Sequence, residues 1–304
     1  TLERNDIGGG RRDKFIFAMQ KAIEPVGQSR TDYDIFSLIS KKLGFWDEFT
    51  EGRSEKEWLE SFYGQFQKSA KELEIKMPNF SEFWSNGFYE FPEDKPKAFL
   101  YKYRSDPENN QLRTPSGKIE IYSSTIDSFE YDDCPGHPVW LEPCEWLGSD
   151  RAEDFPLHLI TNQPKTRLHS QYDNGGYSLK NKIQDREPVS INPKDAHKRG
   201  IKDGDVVKIY NSRGACLAGA VITEDVMPNV VQISTGAWFD PLSPGVPGSM
   251  DVHGNPNILT IDKGTSKLAQ GPSAMSALVE VEVYEGELPP IKIFNPPLTE
   301  KKNI

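Results

Sequence analysis

The 304-residue sequence predicts an α+β protein in which a helical or mixed first part is followed by a closed β-barrel. Capped amphipathic helix patterns occur before residue 90, and prolines interrupt residues 91–156. Short strand patterns with turn signals follow from residue 156 to residue 283. The change in pattern places a domain boundary near residues 150–154, and we therefore predict two domains, 1–152 and 153–304.

The first predicted helix begins after Thr31, a residue suited to cap a helix N-terminus, and it ends before Gly44. Its apolar residues lie close to one helical face; they are Ile35, Phe36, Leu38, Ile39 and Leu43. This spacing predicts an amphipathic helix that faces the core.

A second helix is predicted after Ser54, because Ser54 and Glu57 have the spacing of a capping box. Aromatic and apolar residues then recur at helical spacing: Trp58, Leu59, Phe62, Tyr63 and Phe66. A shorter helix over residues 81–86 ends at Gly87. Packing explains these aromatic residues, so we assign them no functional role.

Residues 91–156 are predicted to be an irregular crossing segment with one strand candidate at residues 118–122. Strands are predicted beyond it at residues 156–160, 189–191, 206–210, 216–222, 230–233 and 277–283. Asn192 and Pro193 begin a short helix that Gly200 ends. Short strands with small helices between them favour a closed, mixed barrel.

Charge and cysteine content exclude several classes of function. A formal net charge of -10 opposes sequence-independent binding of nucleic acid, which requires basic residues to displace phosphate counterions. No apolar run reaches the roughly eighteen residues of a membrane-spanning helix, so no membrane insertion is expected. The three cysteines form no Cys-x-x-Cys pair, which argues against a zinc site, an iron–sulfur cluster or a disulfide scaffold.

Three segments are rich in side chains that bind polar ligands, at residues 162–171, 253–260 and 264–272. Asn257 and Gln270 each combine donors and an acceptor on one planar head, which suits the edge of a heterocyclic ring. The fork of donors on Arg167 suits phosphate or a ring carbonyl. From the residues alone, other interpretations stay open: Arg167 as an ion-pair partner, His169 as a core histidine and Asn257 as a turn residue.

The motifs in these segments are Arg-Leu-His-Ser-Gln at residues 167–171, Gly-Asn-Pro-Asn at 254–257 and Gly-Thr-Ser-Lys-Leu-Ala-Gln-Gly at 264–271. They resemble the molybdopterin-dinucleotide-binding domain of the dimethyl sulfoxide reductase family, in its S- and N-oxide reductase branch. The resemblance implies a six-stranded double-psi β-barrel that binds molybdopterin guanine dinucleotide. The cofactor contacts that it implies are Gln163, Arg167, His169, Ser170, Gln171, Asn257 and Gln270.

The same resemblance implies that this chain is the C-terminal part of a longer oxidoreductase, with residues 1–152 forming part of its α/β core. The complete enzyme would contain molybdenum held by two molybdopterin guanine dinucleotides and would reduce a sulfoxide or an amine N-oxide. Its partners would be the N-terminal part of the reductase and an electron-donor protein. Because the N-terminal part supplies the serine that ligates molybdenum, we expect no catalytic residue and no metal ligand in this chain.

The resemblance also implies a periplasmic location, with a cytoplasmic location as the alternative. A different class of function is a stand-alone double-psi barrel module that binds a nucleotide-like ligand or a protein partner without catalysis. A relative of the formate dehydrogenases or nitrate reductases is a third interpretation, which residues 264–272 disfavour.

Overall fold

The computed structural model describes residues 2–10, 13–92, 98–273 and 275–296. Two compact units divide the chain between Gln111 and Leu112. This division precedes the predicted boundary at residue 152, because residues 112–152 contact the barrel unit. Glu145 in that segment accepts hydrogen bonds from the guanidinium of Arg213 and from the backbone N–H of Leu278, both in the barrel region.

The first unit combines a small sheet with five helices among its described residues. Its antiparallel sheet has the order β1-β2-β3, formed by Asp6–Gly8, Phe15–Met19 and Phe88–Glu90. The helices α1 to α5 are Asp32–Leu43, Trp46–Thr50, Glu55–Glu72, Phe80–Asn86 and Tyr101–Ser105.

The predicted helix caps are confirmed in the structure. The Thr31 side chain accepts from the backbone N–H of Asp34, and Gly44 follows α1 with a φ of 85°. Ser54 and Glu57 form the complete capping box before α3. Tyr63 on α3 stacks on the buried Phe83 of α4 with ring centroids 4.5 Å apart, so these two helices share an aromatic core.

The prediction that α1 faces the core of this chain is wrong. The apolar side chains of its stripe are 41% to 67% exposed, and Ser40 is its buried residue. The stripe has the right spacing, but the elements that contact α1 in the described residues do not cover it. The strand candidate at residues 118–122 is also wrong, because Ile119 and Ile121 are exposed and none of the described strands pairs with them.

The second unit begins with an irregular segment that contains α6 (Ser124–Asp127) and a 3-10 turn (Asp150–Ala152). Its barrel strands β4 to β9 are Leu157–Ile160, Pro188–Ile191, Val206–Tyr210, Ala215–Ile222, Val230–Ile233 and Ala277–Val283. Helix α7 (Gly176–Leu179) lies between the first two of these strands, and α8 (Pro193–Arg199) follows β5.

These six strands close into a barrel in the order β4-β8-β5-β7-β6-β9. The pairs β4/β8 and β5/β7 are parallel, whereas the other pairs are antiparallel. Alternate strand residues fill the interior; they include Leu157, Leu159, Val189, Ile191, Ile209, Val231, Ile233, Val279 and Val281. This arrangement confirms the α+β class and the closed, mixed six-stranded barrel.

Candidate functional site

The first polar segment, residues 162–171, follows β4, and a loop of residues 235–238 follows β8. Because β4 and β8 are parallel neighbours, both loops leave the barrel at the same end. The backbone N–H of Thr235 donates to the carbonyl of Asn162 over 2.9 Å, and the Ser234 hydroxyl donates to the Asn162 side chain. The start of the loop of residues 235–238 is therefore hydrogen-bonded to the start of the first polar segment.

Further along, the same two loops remain in contact. The guanidinium of Arg167 donates to the Thr235 carbonyl at 2.9 Å, and the Trp238 indole N–H donates to the Ser170 carbonyl at 2.7 Å. Gly236 has a φ of 88°, and a Cβ atom there would collide with the carbonyl of His169. Glycine is required at this position both for the conformation and for the close approach.

The second polar segment, residues 253–260, meets the same loop from its other side. Nδ1 of His253 lies 2.8 Å from the Trp238 carbonyl, and the Asn255 side-chain amide donates to the Ala237 carbonyl over 2.9 Å. The structure thus brings together two segments that are about eighty residues apart in the sequence.

The ligand-binding potential of this end of the barrel lies in its exposed polar side chains. In the described part of the chain, five predicted contacts are exposed and their side chains have no hydrogen-bond partner in the protein; they are Gln163, His169, Ser170, Gln171 and Asn257. Three of these carry planar amides with two donors and an acceptor. Such side chains can bind the polar edges of a ligand without first breaking a bond within the protein.

Arg167 differs from those five residues, because its side chain is only 1% exposed. Besides Thr235, it donates to the His169 carbonyl, and it lies 3.1 Å from the carboxylate of Glu187 and 3.4 Å from that of Asp173. Lys182, equally buried, lies 2.8 Å from Asp173 and 3.0 Å from Glu187. Two cations and two carboxylates therefore balance their charges behind the exposed residues.

The pKa of Asp173 reflects this balance. Burial pushes the pKa upward, but hydrogen bonds from Lys182 and from the backbone N–H of Trp238 hold it below its ordinary value. Asp173 is thus a carboxylate that joins the charged cluster to the loop of residues 235–238. A buried carboxylate of this kind is tolerated because its partners replace the lost hydration.

His253 lies beside this cluster and is fully buried. A carbonyl can only accept, so Nδ1 carries the proton that is donated to Trp238, and the neutral ring leaves Nε2 as an acceptor. Nε2 has no hydrogen-bond partner among the described residues. Burial, followed by the charge of Lys182, lowers the pKa of His253 below its ordinary value.

Gln270 lies in the third polar segment, an exposed hairpin closed by a bridge between Gly264 and Pro272. Its amide donates to the Ser266 carbonyl, and the hairpin is anchored elsewhere: Lys267 donates to Asp132 over 2.7 Å and to Asp133. The hydrogen bonds of this hairpin do not connect Gln270 with the two polar segments that meet at residues 235–238.

Sequence reasoning did not single out the loop of residues 235–238 or the buried charges. The loop carries Gly-Ala-Trp after a strand, but its importance depends on the parallel pairing of β4 and β8, which the sequence does not reveal. Asp173, Lys182 and Glu187 look like ordinary charged residues until the fold buries them.

The described residues contain neither a cluster of metal-binding side chains nor a membrane-spanning helix. No group of three or more histidine, cysteine, aspartate or glutamate side chains is placed to hold a metal ion there. Within the same ranges, every helix is too short or too polar to cross a bilayer.

Comparison with known proteins identifies the barrel. The family model described as "Molydopterin dinucleotide binding domain" matches residues 157–278, from the start of β4 into β9. The barrel is a molydopterin dinucleotide-binding domain. The polar segments that meet at residues 235–238 both lie within the matched range.

The relatives of the whole chain are reductases of S- and N-oxides. The chain is 46% identical over 303 residues to the dimethyl sulfoxide/trimethylamine N-oxide reductase of Cereibacter sphaeroides. The aligned region covers 98% of this chain and 36% of that protein. It is 43% identical to the biotin sulfoxide reductase of the same organism, with coverage of 94% and 38%. It is 41% identical to the trimethylamine-N-oxide reductase of Haemophilus influenzae, with coverage of 98% and 37%.

The molydopterin dinucleotide-binding domain and the unit before it are thus homologous to part of these oxidoreductases, and the chain spans little more than a third of their length. Among solved structures, acetylene hydratase from Pelobacter acetylenicus has a TM-score of 0.69 and 20% identity, over 93% of this chain and 37% of that chain. At this identity the likeness concerns the fold alone.

Proposed function

We propose that this chain holds one molybdopterin guanine dinucleotide at the barrel end where residues 162–171 and 253–260 meet, as the C-terminal part of a molybdenum S/N-oxide reductase. One observation carries the proposal: both segments are attached to one shared loop, and their exposed amide, hydroxyl and imidazole side chains have no hydrogen-bond partner among the described residues. The match to the dinucleotide-binding family supports the choice of ligand.

The side chains present fit the chemistry of this cofactor. A pterin and a guanine both offer ring nitrogens, amino groups and carbonyls along planar edges, and the amides of Gln163, Gln171 and Asn257 match such edges with paired donors and acceptors. The hydroxyl of Ser170 and the ring of His169 add further polar contacts. Gln270 is proposed as a contact from the separate hairpin.

Arg167 is proposed to be a buried residue that positions the exposed contact residues and does not itself contact the cofactor. Its donors already bond to Glu187, to Ser178 and to the carbonyls of His169 and Thr235, so its guanidinium fixes the backbone that presents His169 and Ser170. Direct contact between Arg167 and the cofactor, which the resemblance implies, would require these bonds to be exchanged.

When bound, the molybdenum group supplies two-electron oxygen-atom transfer from a sulfoxide or an amine N-oxide. The residues of this chain bind and orient the dinucleotide by its polar edges. The N-terminal part of the reductase is proposed to supply the metal ligand, and an electron-donor protein is proposed as a further partner. The family resemblance supports a periplasmic location.

The test measures cofactor content in the intact reductase. Asn257→Ala and Gln270→Ala are expected to lower the molybdenum and guanine nucleotide content more than the melting temperature, because both side chains are exposed and pack against little. Gln28→Ala, which removes an exposed amide from the first unit, is the matched control and should change neither quantity.

Unchanged cofactor content in both variants, with a lower melting temperature, would overturn the assignment of these contacts. Absence of molybdenum and guanine nucleotide from the wild-type protein would instead favour the stand-alone barrel module.

A further inference from the structure

Asp251 is a buried carboxylate whose hydrogen bonds among the described residues all come from backbone N–H groups. Its side chain is 0% exposed. Oδ1 accepts from Asp240 at 2.8 Å, and Oδ2 accepts from the three consecutive residues His253, Gly254 and Asn255 at 3.1, 2.6 and 2.7 Å. Burial raises the pKa of Asp251, whereas these backbone N–H groups lower it and match the ionised form, which offers several acceptor sites and no donor.

These bonds fix the turn that carries Asn257. The turn passes through Gly254, which has a φ of 101° and whose Cβ position would lie 2.6 Å from Cβ of Glu187. It continues into Asn255, whose amide donates to the Ala237 carbonyl and whose side-chain oxygen accepts from the backbone N–H of Asn257 at 3.0 Å. A chain of hydrogen bonds therefore leads from Asp251 to the exposed Asn257.

The same carboxylate also fixes the backbone just after the loop of residues 235–238, through the backbone N–H of Asp240. Asp173 fixes that loop two residues earlier by accepting from the backbone N–H of Trp238 at 2.8 Å. Two buried aspartates, one next to each polar segment, thus hold the backbone at the C-terminal end of the loop.

We propose that Asp251 is a positioning residue of the cofactor site: its buried carboxylate sets the turn at residues 253–257 so that Asn257 faces the dinucleotide. The inference rests on the proposed function and names a residue that touches no ligand. Its effect passes through the backbone of residues 253–255 and through the Asn255 side chain.

The test compares Asp251→Asn with Asp195→Asn in the intact reductase. The asparagine at 251 would offer one acceptor oxygen and would set its own N–H donors against backbone donors. Asp195 is the matched control, because it is equally buried and accepts from the backbone N–H of Asn229, but it lies on α8 outside the polar segments. The readouts are the guanine nucleotide released on denaturation, the melting temperature and the hydrogen exchange of the amides of Gly254 and Asn255.

Asp251→Asn is expected to retain the nucleotide about tenfold more weakly, the order of effect seen when an outer-shell partner of a bound group is lost. The amides of Gly254 and Asn255 should also exchange faster. Asp195→Asn should lower the melting temperature while the nucleotide content and these two amides stay unchanged. Asn255→Ala removes the next link and should weaken retention in the same direction, which keeps the test decisive if Asp251→Asn does not fold.

Full nucleotide content in Asn255→Ala, or in a folded Asp251→Asn, overturns the positioning role while leaving the proposed function intact. A wild-type reductase without guanine nucleotide overturns the proposed function and this role together.

Discussion

At Gly236 the two loops after the parallel strands pass so close that a side chain would not fit. We predict that Gly236→Ala destabilises the barrel unit by about 1–3 kcal/mol, the usual cost of forcing extra volume into a packed site. The added Cβ would collide with the carbonyl of His169 and come within 2.9 Å of the Ser170 nitrogen. Urea unfolding of the chain measures the loss.

The control for this prediction is Gly248→Ala. Gly248 also has a positive φ, at 75°, but its Cβ position meets nothing within 4 Å. It therefore reports the cost of the backbone conformation alone. Equal losses in the two variants would show that the approach of the two loops contributes nothing to stability.

His253 gives the barrel unit a predictable dependence on pH. Its pKa is lowered in the folded protein. Just below pH 6.5, His253 therefore binds a proton in the unfolded chain but not in the folded chain. The free energy of unfolding should fall as the pH drops from 6.5 towards the lower folded value, with a slope of at most about 1.4 kcal/mol per pH unit. His253→Gln should remove this slope.

The charged groups around His253 are Asp173, Asp251 and Lys182, and they are unchanged by the substitution. His169→Gln is the control, because His169 is exposed and should leave the slope as it is in the wild type. Denaturant unfolding between pH 5 and pH 8 separates the variants. A slope that persists in His253→Gln would assign the proton uptake to another group.

The ion pair between Glu145 and Arg213 attaches the irregular segment to the barrel. Glu145 is buried, accepts from Nη2 of Arg213 at 2.9 Å and also accepts from the backbone N–H of Leu278 in β9. Glu145→Gln leaves Arg213 without its counter-charge. We predict a loss of about 1–3 kcal/mol in the free energy of unfolding, since Arg213 keeps some contact with water.

Glu153→Gln provides the comparison, because it makes the same change at an exposed position in the same region. Surface changes of this kind usually stay within about 0.5 kcal/mol. If both variants unfold at the same urea concentration, the segment is attached to the barrel by other contacts.

The six barrel strands and the helix caps could be predicted because their signals are local. Alternation, turn residues and the spacing of Ser54 and Glu57 each act within a few residues. The sheet of the first unit was not predicted, because two of its strands have only three residues. The strand predicted at residues 118–122 has a clear local pattern but does not form, because its alternating residues have no partner strand among the described residues.

The sequence predicted the exposed polar segments of the candidate site but not the buried charged residues that support them. The segments that contain Gln171 and Asn257 stand out by composition, and the structure brings those segments together. Asp173, Lys182 and Asp251 could not be recognised, because a buried charge is distinguished from a solvated one by contacts distant in sequence. Whether the exposed residues contact the cofactor stays a prediction.

The apolar stripe of α1 is left uncovered by the described part of the chain. On α2, which contacts α1, Trp46 and Phe49 are also exposed. Exposed apolar residues in such numbers usually mark an interface. Under the proposed function, the N-terminal part of the reductase is expected to cover this face, because the relatives are almost three times as long as this chain.

If this face is covered, substitutions in the stripe should change the free energy of unfolding little in the 304-residue chain and much more in the intact reductase. Phe36→Glu and Leu43→Glu should change the free energy of unfolding of the 304-residue chain by about 0.5 kcal/mol or less, because both side chains are exposed there. In the intact reductase each should cost about 2 kcal/mol or more, because a carboxylate would replace a buried apolar side chain. Lys41→Glu, on the opposite side of α1, should have a small effect in both proteins. Small effects of Phe36→Glu and Leu43→Glu in the intact reductase would mean that the N-terminal part lies elsewhere and that α1 serves another partner.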